Sequence, residues 1–338
     1  MVSHAYAGNA PDVTQFPELV EELATRYGQA GGDRAGLSVV FDAGQNSAAN
    51  FARLAAAGLH HVGSLPPAEH PDLLGIDRRR YRAVDANRFP GLTAHPTRAH
   101  ALGAERRVIL THSATLHAAQ ARGFDQTLTK ATRALDELAD TLARGHTRRA
   151  RAGVQTANDT ITRARWVRRV LTTELTGDTP ADLRLTYTLD TAARRALETE
   201  IFGKRILVTD HDDWPVADVV AAYRSQNDAE QGFRQLKDPD LVGFSPMFHW
   251  TDSKIRVHAF YCVLALAVAH LMRRQAAAAG LTMSVRELLD HLAGIQETVL
   301  LYPSTGGRPR ARRLLTERDP IQDRLFDLFD LHRYAPHA

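Results

Sequence analysis

The chain has 338 residues, 44% of them hydrophobic, which suits one large or two medium domains with a sizeable core. Its formal net charge is only +3 and arginine dominates the basic residues, so a nucleic-acid partner is permitted but not required. The single cysteine, Cys262, excludes an internal disulfide and any cysteine-rich zinc site.

No targeting or membrane segment is predicted. Residues 1–10 have neither a basic start nor an apolar core, so we expect no signal peptide. The most apolar run, residues 259–271, is too short to span a bilayer and predicts a buried helix. We therefore expect a soluble, cytoplasmic protein without a membrane partner.

Residues 1–65 predict a helix followed by a strand–helix–strand unit. Apolar residues at helical spacing place the first helix at 16–27. A strand at 37–41, a helix at 47–57 and a strand at 59–65 follow with tight links, so we expect the two strands to pair in parallel. Asp42 then lies at the carboxyl end of a strand, where open α/β sheets bind ligands. Capping of the following helix is the alternative role for this aspartate.

Residues 66–202 mix strands with helices and concentrate arginine. We predict strands at 81–84, 106–111 and 183–189, and helices at 127–144 and 156–175. Eight arginines crowd this stretch, namely Arg144, Arg148, Arg149, Arg151, Arg163, Arg165, Arg168 and Arg169. Only Asp159 lies among them, so contact with DNA phosphates is one interpretation and a solvated basic surface is the other. Trp166 could stack on a base, although a tryptophan on a helix more often belongs to the core.

The chain is organised around a predicted helix at 214–238, which follows a strand at 202–209. Pro215 suits the first turn of this helix. Apolar residues from Val216 form a stripe along one face, and further along the same face the residues become polar, with Glu230 near the centre of the polar part. Glu230 is either paired with Arg234 one turn later, or exposed at a helix end, or a metal-binding carboxylate on an inward face. Further predictions are a helix at 284–295, a strand at 297–302, a basic mobile linker at 306–313 and a helix at 321–331.

Few residues carry metal or phosphoryl-transfer chemistry. Asp42 and Glu230 together suit Mg²⁺, which takes one or two carboxylates plus substrate phosphate. His60 and His61 point to opposite faces of a strand and make a poor metal pair. The acidic run at 209–213 suits helix capping better than metal binding.

The block Tyr223, Gln226, Glu230, Phe233-Arg234 and Lys237 resembles the segment around the last acidic residue of bacterial insertion-sequence DDE transposases. The family pattern is Tyr, two residues, Arg, three residues, Glu, six residues, Lys, and this chain departs from it at Gln226. Upstream, VVFDAGQNSAANFARLAAAGLHHVGSL resembles the second-aspartate segment of the family, and AGNAPD the stretch leading to it. Downstream, KIRVHAFYCVLALAVAHL resembles the helix that closes the catalytic core.

The resemblance implies an α/β fold with an RNase H-like, retroviral-integrase-like catalytic core, incomplete at the N-terminus, and a large mixed α+β insertion domain. The core would comprise 1–65 and 208–300, the insertion 66–207, and a basic linker and tail 301–338. Asp42 and Glu230 become the second and third catalytic acids, holding two Mg²⁺ ions, or Mn²⁺ in their place. Tyr223 and Lys237 would hold phosphates of the transposon end.

The resemblance also implies the partners. Double-stranded transposon ends and target DNA, bound in a dimeric synaptic complex near the nucleoid, would be contacted by Gln226, Arg234, Arg148, Arg149, Arg151, Arg165 and Arg168. The family's first aspartate has no counterpart before Asp42, so we expect a truncated transposase that neither cleaves nor joins DNA by itself. The alternatives are a non-catalytic DNA-binding or inhibitory module, and a different Mg²⁺ nuclease on the same fold.

Overall fold

A computed structural model describes residues 12–33, 36–145, 149–303 and 310–336. The chain divides between Arg224 and Ser225 into two compact units. We call the described residues up to Arg224 the N-unit and those from Ser225 the C-unit.

Among the described residues, the N-unit contains eight α-helices and eight strands. In chain order these elements are α1 (Asp12–Gln29), β1 (Ser38–Val40), α2 (Ala48–Ala56), β2 (His60–Leu65), α3 (Pro71–Leu74), β3 (Arg82–Ala83), β4 (Leu92–Ala101), β5 (Ala104–Ser113), α4 (Ala114–Ala143), α5 (Arg151–Ile161), α6 (Val167–Val170), β6 (Leu171–Thr176), β7 (Arg184–Leu189), α7 (Thr191–Ile201), β8 (Lys204–Thr209) and α8 (Val216–Arg224).

Six of the strands form one mixed sheet, in the order β1-β2-β8-β5-β4-β3. β1 and β2 are parallel, as predicted, while every other neighbouring pair is antiparallel. The chain is therefore of mixed α/β class. β5 and β8, from the stretch predicted as an insertion, join the same sheet as β1 and β2, so the predicted boundary at residue 65 does not separate two sheets.

The strand–helix–strand unit forms because each local signal agrees with the next. Ser47 accepts a hydrogen bond from the Asn50 backbone N–H and so starts α2. Phe51 and Leu54, one turn apart on α2, are each 1% exposed and pack into the core beneath β1 and β2. The predicted strands at 37–41 and 59–65 and the helix between them are confirmed.

The prediction of one helix over 156–175 is wrong. α5 ends at Ile161, and Trp166 takes a left-handed backbone conformation with φ of 68° that an α-helix cannot continue through. From Leu171 the chain becomes β6, which pairs antiparallel with β7 in a separate two-stranded sheet. The β-branched Thr172 and Thr173 favour this strand.

The predicted continuous helix at 214–238 is interrupted at Ser225. α8 ends at Arg224, and the C-unit begins with α9 (Gln226–Leu236). Val219 and Val220 of α8 are buried against the sheet, whereas Leu236 is the buried residue of α9. The buried residues of α8 therefore belong to a core cluster of the N-unit, and Leu236 of α9 belongs to one of the C-unit.

The C-unit continues with α10 (Asp252–Ala278), α11 (Val285–Ala293), β9 (Glu297–Tyr302), β10 (Arg310–Leu315) and α12 (Pro320–Leu328). β9 and β10 pair antiparallel. The prediction of a linker over 306–313 is therefore wrong at its end, where residues 310–313 form β10; positions 304–309 lie outside the described residues.

α10 differs from the predicted buried helix. It has 27 residues and by length and composition could cross a membrane, a test that core helices of soluble proteins also pass. Only 17% of its most apolar stretch is buried, so the prediction of burial is wrong. Cys262, Leu266 and Ala269 face inward, while the residues between them are largely exposed.

Candidate functional site

Asp42 lies two residues beyond Val40, the last residue of β1, close to the predicted position at the carboxyl end of the strand. Its Oδ1 accepts a hydrogen bond from the Gly44 backbone N–H at 2.8 Å and caps a short 3-10 turn, Ala43–Gln45. Asp42 therefore caps this turn and not the following helix α2, which is capped by Ser47. The carboxylate is exposed and keeps its second oxygen available to a ligand.

Glu230 lies on α9, where its side chain is 69% exposed. Arg234, one turn later, approaches it with Nη2 3.8 Å from Oε2. The Glu230 carboxylate is therefore exposed and lies near Arg234, the first of the alternatives predicted for it, and does not face inward. A pair this loose and exposed contributes little to stability, so Glu230 is free to turn toward a ligand.

The two predicted metal ligands belong to different units, Asp42 to the N-unit and Glu230 to the C-unit. Neither joins a group of three potential ligands within the described ranges. Each unit therefore contains one of the two predicted ligands, and two Mg²⁺ ions require more oxygen ligands than one carboxylate.

The other residues of the transposase-like block are also divided between the units. In the N-unit, Tyr223 is half-buried, and its hydroxyl accepts from Arg205 Nη1 at 3.4 Å. In the C-unit, Gln226 is partly buried with no hydrogen-bond partner for Nε2 among the described residues. Lys237 ends α9 and is exposed.

Several predicted DNA-binding arginines have partners within the protein. Arg168 pairs with Asp159 at 3.1 Å, and Arg151 donates to the carbonyl oxygens of Leu175 and Gly177. Arg149 is exposed, and Arg148 lies outside the described residues. Arginine content alone therefore overestimates the charge left for phosphates.

The turn between α5 and α6 leaves two arginines without an acidic partner among the described residues. Arg163 and Arg165 are both exposed and lie in no ion pair there. The Arg165 guanidinium stacks over the Trp166 ring, 4.2 Å from its centroid. Trp166 itself packs against Phe124 and Phe202, so it belongs to the core, as the plainer interpretation predicted.

A group of three potential metal ligands in the N-unit was not predicted from the sequence. One donor atom each from His60, Asp210 and His211 lies within 4.8 Å of the other two. The sequence contains both parts of the group, in the adjacent histidines at 60–61 and in the acidic run at 209–213. They are far apart in the chain, and the pairing of Val62 with Thr209 brings them together. His60 was predicted to be a poor ligand because it cannot share an ion with His61, whereas in the structure its neighbours are Asp210 and His211.

Burial favours the neutral forms of His61 and His211. Burial lowers the pKa of His61 to about 4, although the neighbouring Asp210 carboxylate opposes this. Burial, and then the charge of His60, also lower the pKa of His211.

Comparisons with protein-family models, with curated proteins and with solved structures found no match to this chain.

Proposed function

We propose that the chain is a DNA-binding protein of the bacterial DDE transposase type, with Asp42 and Glu230 as two of the catalytic carboxylates. The observation that carries the proposal is the position of Asp42, two residues beyond the carboxyl end of a strand that pairs in parallel with the next strand through a helix. This arrangement is what the resemblance of residues 39–65 to the second-aspartate segment implies. Under this proposal the fold is RNase H-like.

The proposal of an incomplete catalytic site is supported by the unpaired outer edge that β1 has among the described residues. Among the described residues β1 pairs only with β2 and is the edge strand of the sheet. A first aspartate on a further strand beside β1 would complete the set of acids. Without it, we expect binding of DNA but no strand cleavage by two Mg²⁺ ions.

The turn between α5 and α6 favours the second candidate, a DNA-binding module without catalysis. Residues 162–166, 168 and 169 line a hollow of about 260 Å³, and four of them are arginines, two of which have no acidic partner in the described ranges. Stacking of Arg165 on Trp166 fixes one guanidinium at the surface. A fixed guanidinium loses less entropy when it binds a phosphate oxygen.

The test measures binding and nicking on one substrate. A fluorescent duplex carrying the DNA that flanks the coding sequence is titrated with the chain in Mg²⁺ at several salt concentrations, and its strands are then separated on a denaturing gel. The variant Arg163→Ala/Arg165→Ala should weaken binding and make the slope of log K against log salt shallower by about 2. Arg122→Ala/Arg133→Ala, which removes the same charge from exposed positions on α4, is the control.

Each result decides between the candidates. Salt-dependent binding without nicking supports an incomplete transposase or a derived module, and preference for the flanking DNA over a scrambled duplex supports the former. Robust nicking that Glu230→Ala abolishes contradicts the incomplete site. Absence of binding to any duplex contradicts both candidates.

A further inference from the structure

His60, Asp210 and His211 meet at one end of the β2–β8 pair in the N-unit, away from the chemistry assigned to Asp42. We propose that these three side chains bind one divalent transition-metal ion of the zinc class. The proposal does not depend on transposase activity, because it uses neither Asp42 nor Glu230.

The register of the sheet assembles the three donors. Val62 of β2 pairs antiparallel with Thr209, the last residue of β8. The start of β2, which carries His60, therefore lies opposite Asp210 and His211, which follow β8. His60 Nδ1 lies 3.0 Å from Asp210 Oδ2. The other carboxylate oxygen, Oδ1, accepts from the His61 backbone N–H at 2.8 Å, which fixes the orientation of the carboxylate.

His211 is held more firmly than His60. Its ring stacks on Trp214 with centroids 3.7 Å apart, and Ser38 Oγ lies 2.7 Å from Nε2. Arg107 donates to the backbone carbonyl oxygens of His211 and Trp214 and so pins the loop that carries them. Hydrogen bonds of this kind orient the ligands of protein metal sites and are costly to remove.

The donor set selects the ion. Two imidazole nitrogens and one carboxylate oxygen suit Zn²⁺ and related ions, whereas Mg²⁺ prefers oxygen alone. Donor atoms that bind zinc at about 2.0–2.2 Å lie roughly 3.5 Å apart, so the present spread of up to 4.8 Å must contract. Rotation of the His60 side chain can bring the donor atoms together, since this side chain is 42% exposed.

Binding has a structural signature. The rings of His60 and His211 are stacked at 4.3 Å with planes 29° apart, an arrangement in which their lone pairs do not converge on one point. An ion must therefore turn His60 out of this stack while His211 stays against Trp214. Because Trp214 contacts a ligand ring directly, its fluorescence should change when the ion binds.

The alternative is a hydrogen-bonded trio that takes no ion. In that case His60 Nδ1 is only a hydrogen-bonding partner of Asp210 Oδ2, and His211 serves only to pack against Trp214 and to contact Ser38 Oγ. The guanidinium of Arg106 adds positive charge near Asp210, which lowers the affinity for a cation. Direct measurement of binding separates these two possibilities.

The experiment uses the full chain after treatment with a chelator. Zn²⁺ and, separately, Mg²⁺ are titrated in competition with a chromophoric chelator, while tryptophan fluorescence is recorded. His60→Ala and Asp210→Asn should each lower the Zn²⁺ affinity by at least about 10-fold. The amide that replaces the carboxylate in Asp210→Asn keeps an oxygen to accept the His61 N–H, so this variant preserves the fold. His100→Ala, at an exposed histidine on β4, is the control and should leave the affinity unchanged.

Trp214→Phe assigns the signal, since it should abolish the fluorescence change and retain binding. The proposal is overturned if His60→Ala and Asp210→Asn bind Zn²⁺ as tightly as the unchanged chain. It is also overturned if Mg²⁺ competes equally with Zn²⁺, because a nitrogen-rich site discriminates against Mg²⁺.

Discussion

His112 is a buried, uncharged histidine whose surroundings oppose its protonation. It is 4% exposed, and Arg78 donates to its Nδ1 at 3.1 Å, which requires that nitrogen to carry no proton. Its Nε2 lies 3.4 Å from His117 Nδ1, and Lys204 lies close by on β8. Burial first, and then the basic neighbours Arg78, His117 and Lys204, lower the pKa of His112 to about 4 from its usual 6.5.

We expect this histidine to make the chain less stable in mild acid. The unfolded chain binds a proton at His112 below about pH 6.5, whereas the folded chain binds it only near pH 4. The stability it contributes is complete above pH 6.5 and is lost as the pH falls toward 4. Between pH 7 and 5 the loss should be on the order of 1–2 kcal/mol.

Urea unfolding at pH 7 and at pH 5 measures this loss. In His112→Gln the difference between the two midpoints should be smaller than in the unchanged chain, because a titrating group has been removed. His100→Gln serves as the exposed control and should leave the difference as it was. An equal difference in all three proteins would show that other groups cause the acid sensitivity.

At the scale of elements, the connection from α7 to β8 depends on a glycine. Gly203 has φ of 76°, and a Cβ built on it would lie 2.8 Å from His112 Nε2, His117 Cβ and the Ser113 carbonyl oxygen. Its own backbone carbonyl accepts from Ser113 N at 2.9 Å. The turn therefore requires both the left-handed conformation and the missing side chain.

Gly203→Ala should destabilise the chain by roughly 2–5 kcal/mol, combining conformational strain with overpacking. Gly58→Ala is the matched control, because Gly58 has φ of 67° and open space around its Cβ position. That variant should cost only about 1–2 kcal/mol. Thermal or urea unfolding of the two variants gives the difference, and equal losses would contradict the role of crowding at Gly203.

The elements that sequence predicted best are those in which cap, periodicity and burial agree. The β1–α2–β2 unit is such a case, since Ser47, Phe51 and Leu54 all indicate the same helix. The stretch around Trp166 could not be predicted, because its left-handed backbone depends on packing against Phe124 and Phe202 from distant segments. For the same reason, the approach of His60 to Asp210 depends on strand register, which local periodicity does not specify.

At the scale of the whole molecule, the C-unit exposes many large apolar side chains, and a net charge of +3 adds little repulsion between copies of the chain. Exposed apolar side chains follow one another at helical spacing along α10, namely Val257, Phe260, Tyr261, Leu264, Val268 and Leu271. Phe248 and Trp250, at 75% and 93% exposure, precede them. Contiguous apolar patches of this kind mark sites of association or aggregation.

We therefore expect the native chain to bind a hydrophobic dye such as ANS and to associate as its concentration rises. Phe260→Gln/Leu264→Gln should reduce dye fluorescence and shift the chain toward the monomer in sedimentation, since two central residues of the stripe become polar. Glutamine is also a good helix former, so α10 itself should be preserved. Leu301→Gln/Tyr334→Gln changes two exposed apolar residues outside α10 and is the control. If both double variants change dye binding and association equally, the effect comes from general surface apolarity, and the stripe on α10 has no special part in it.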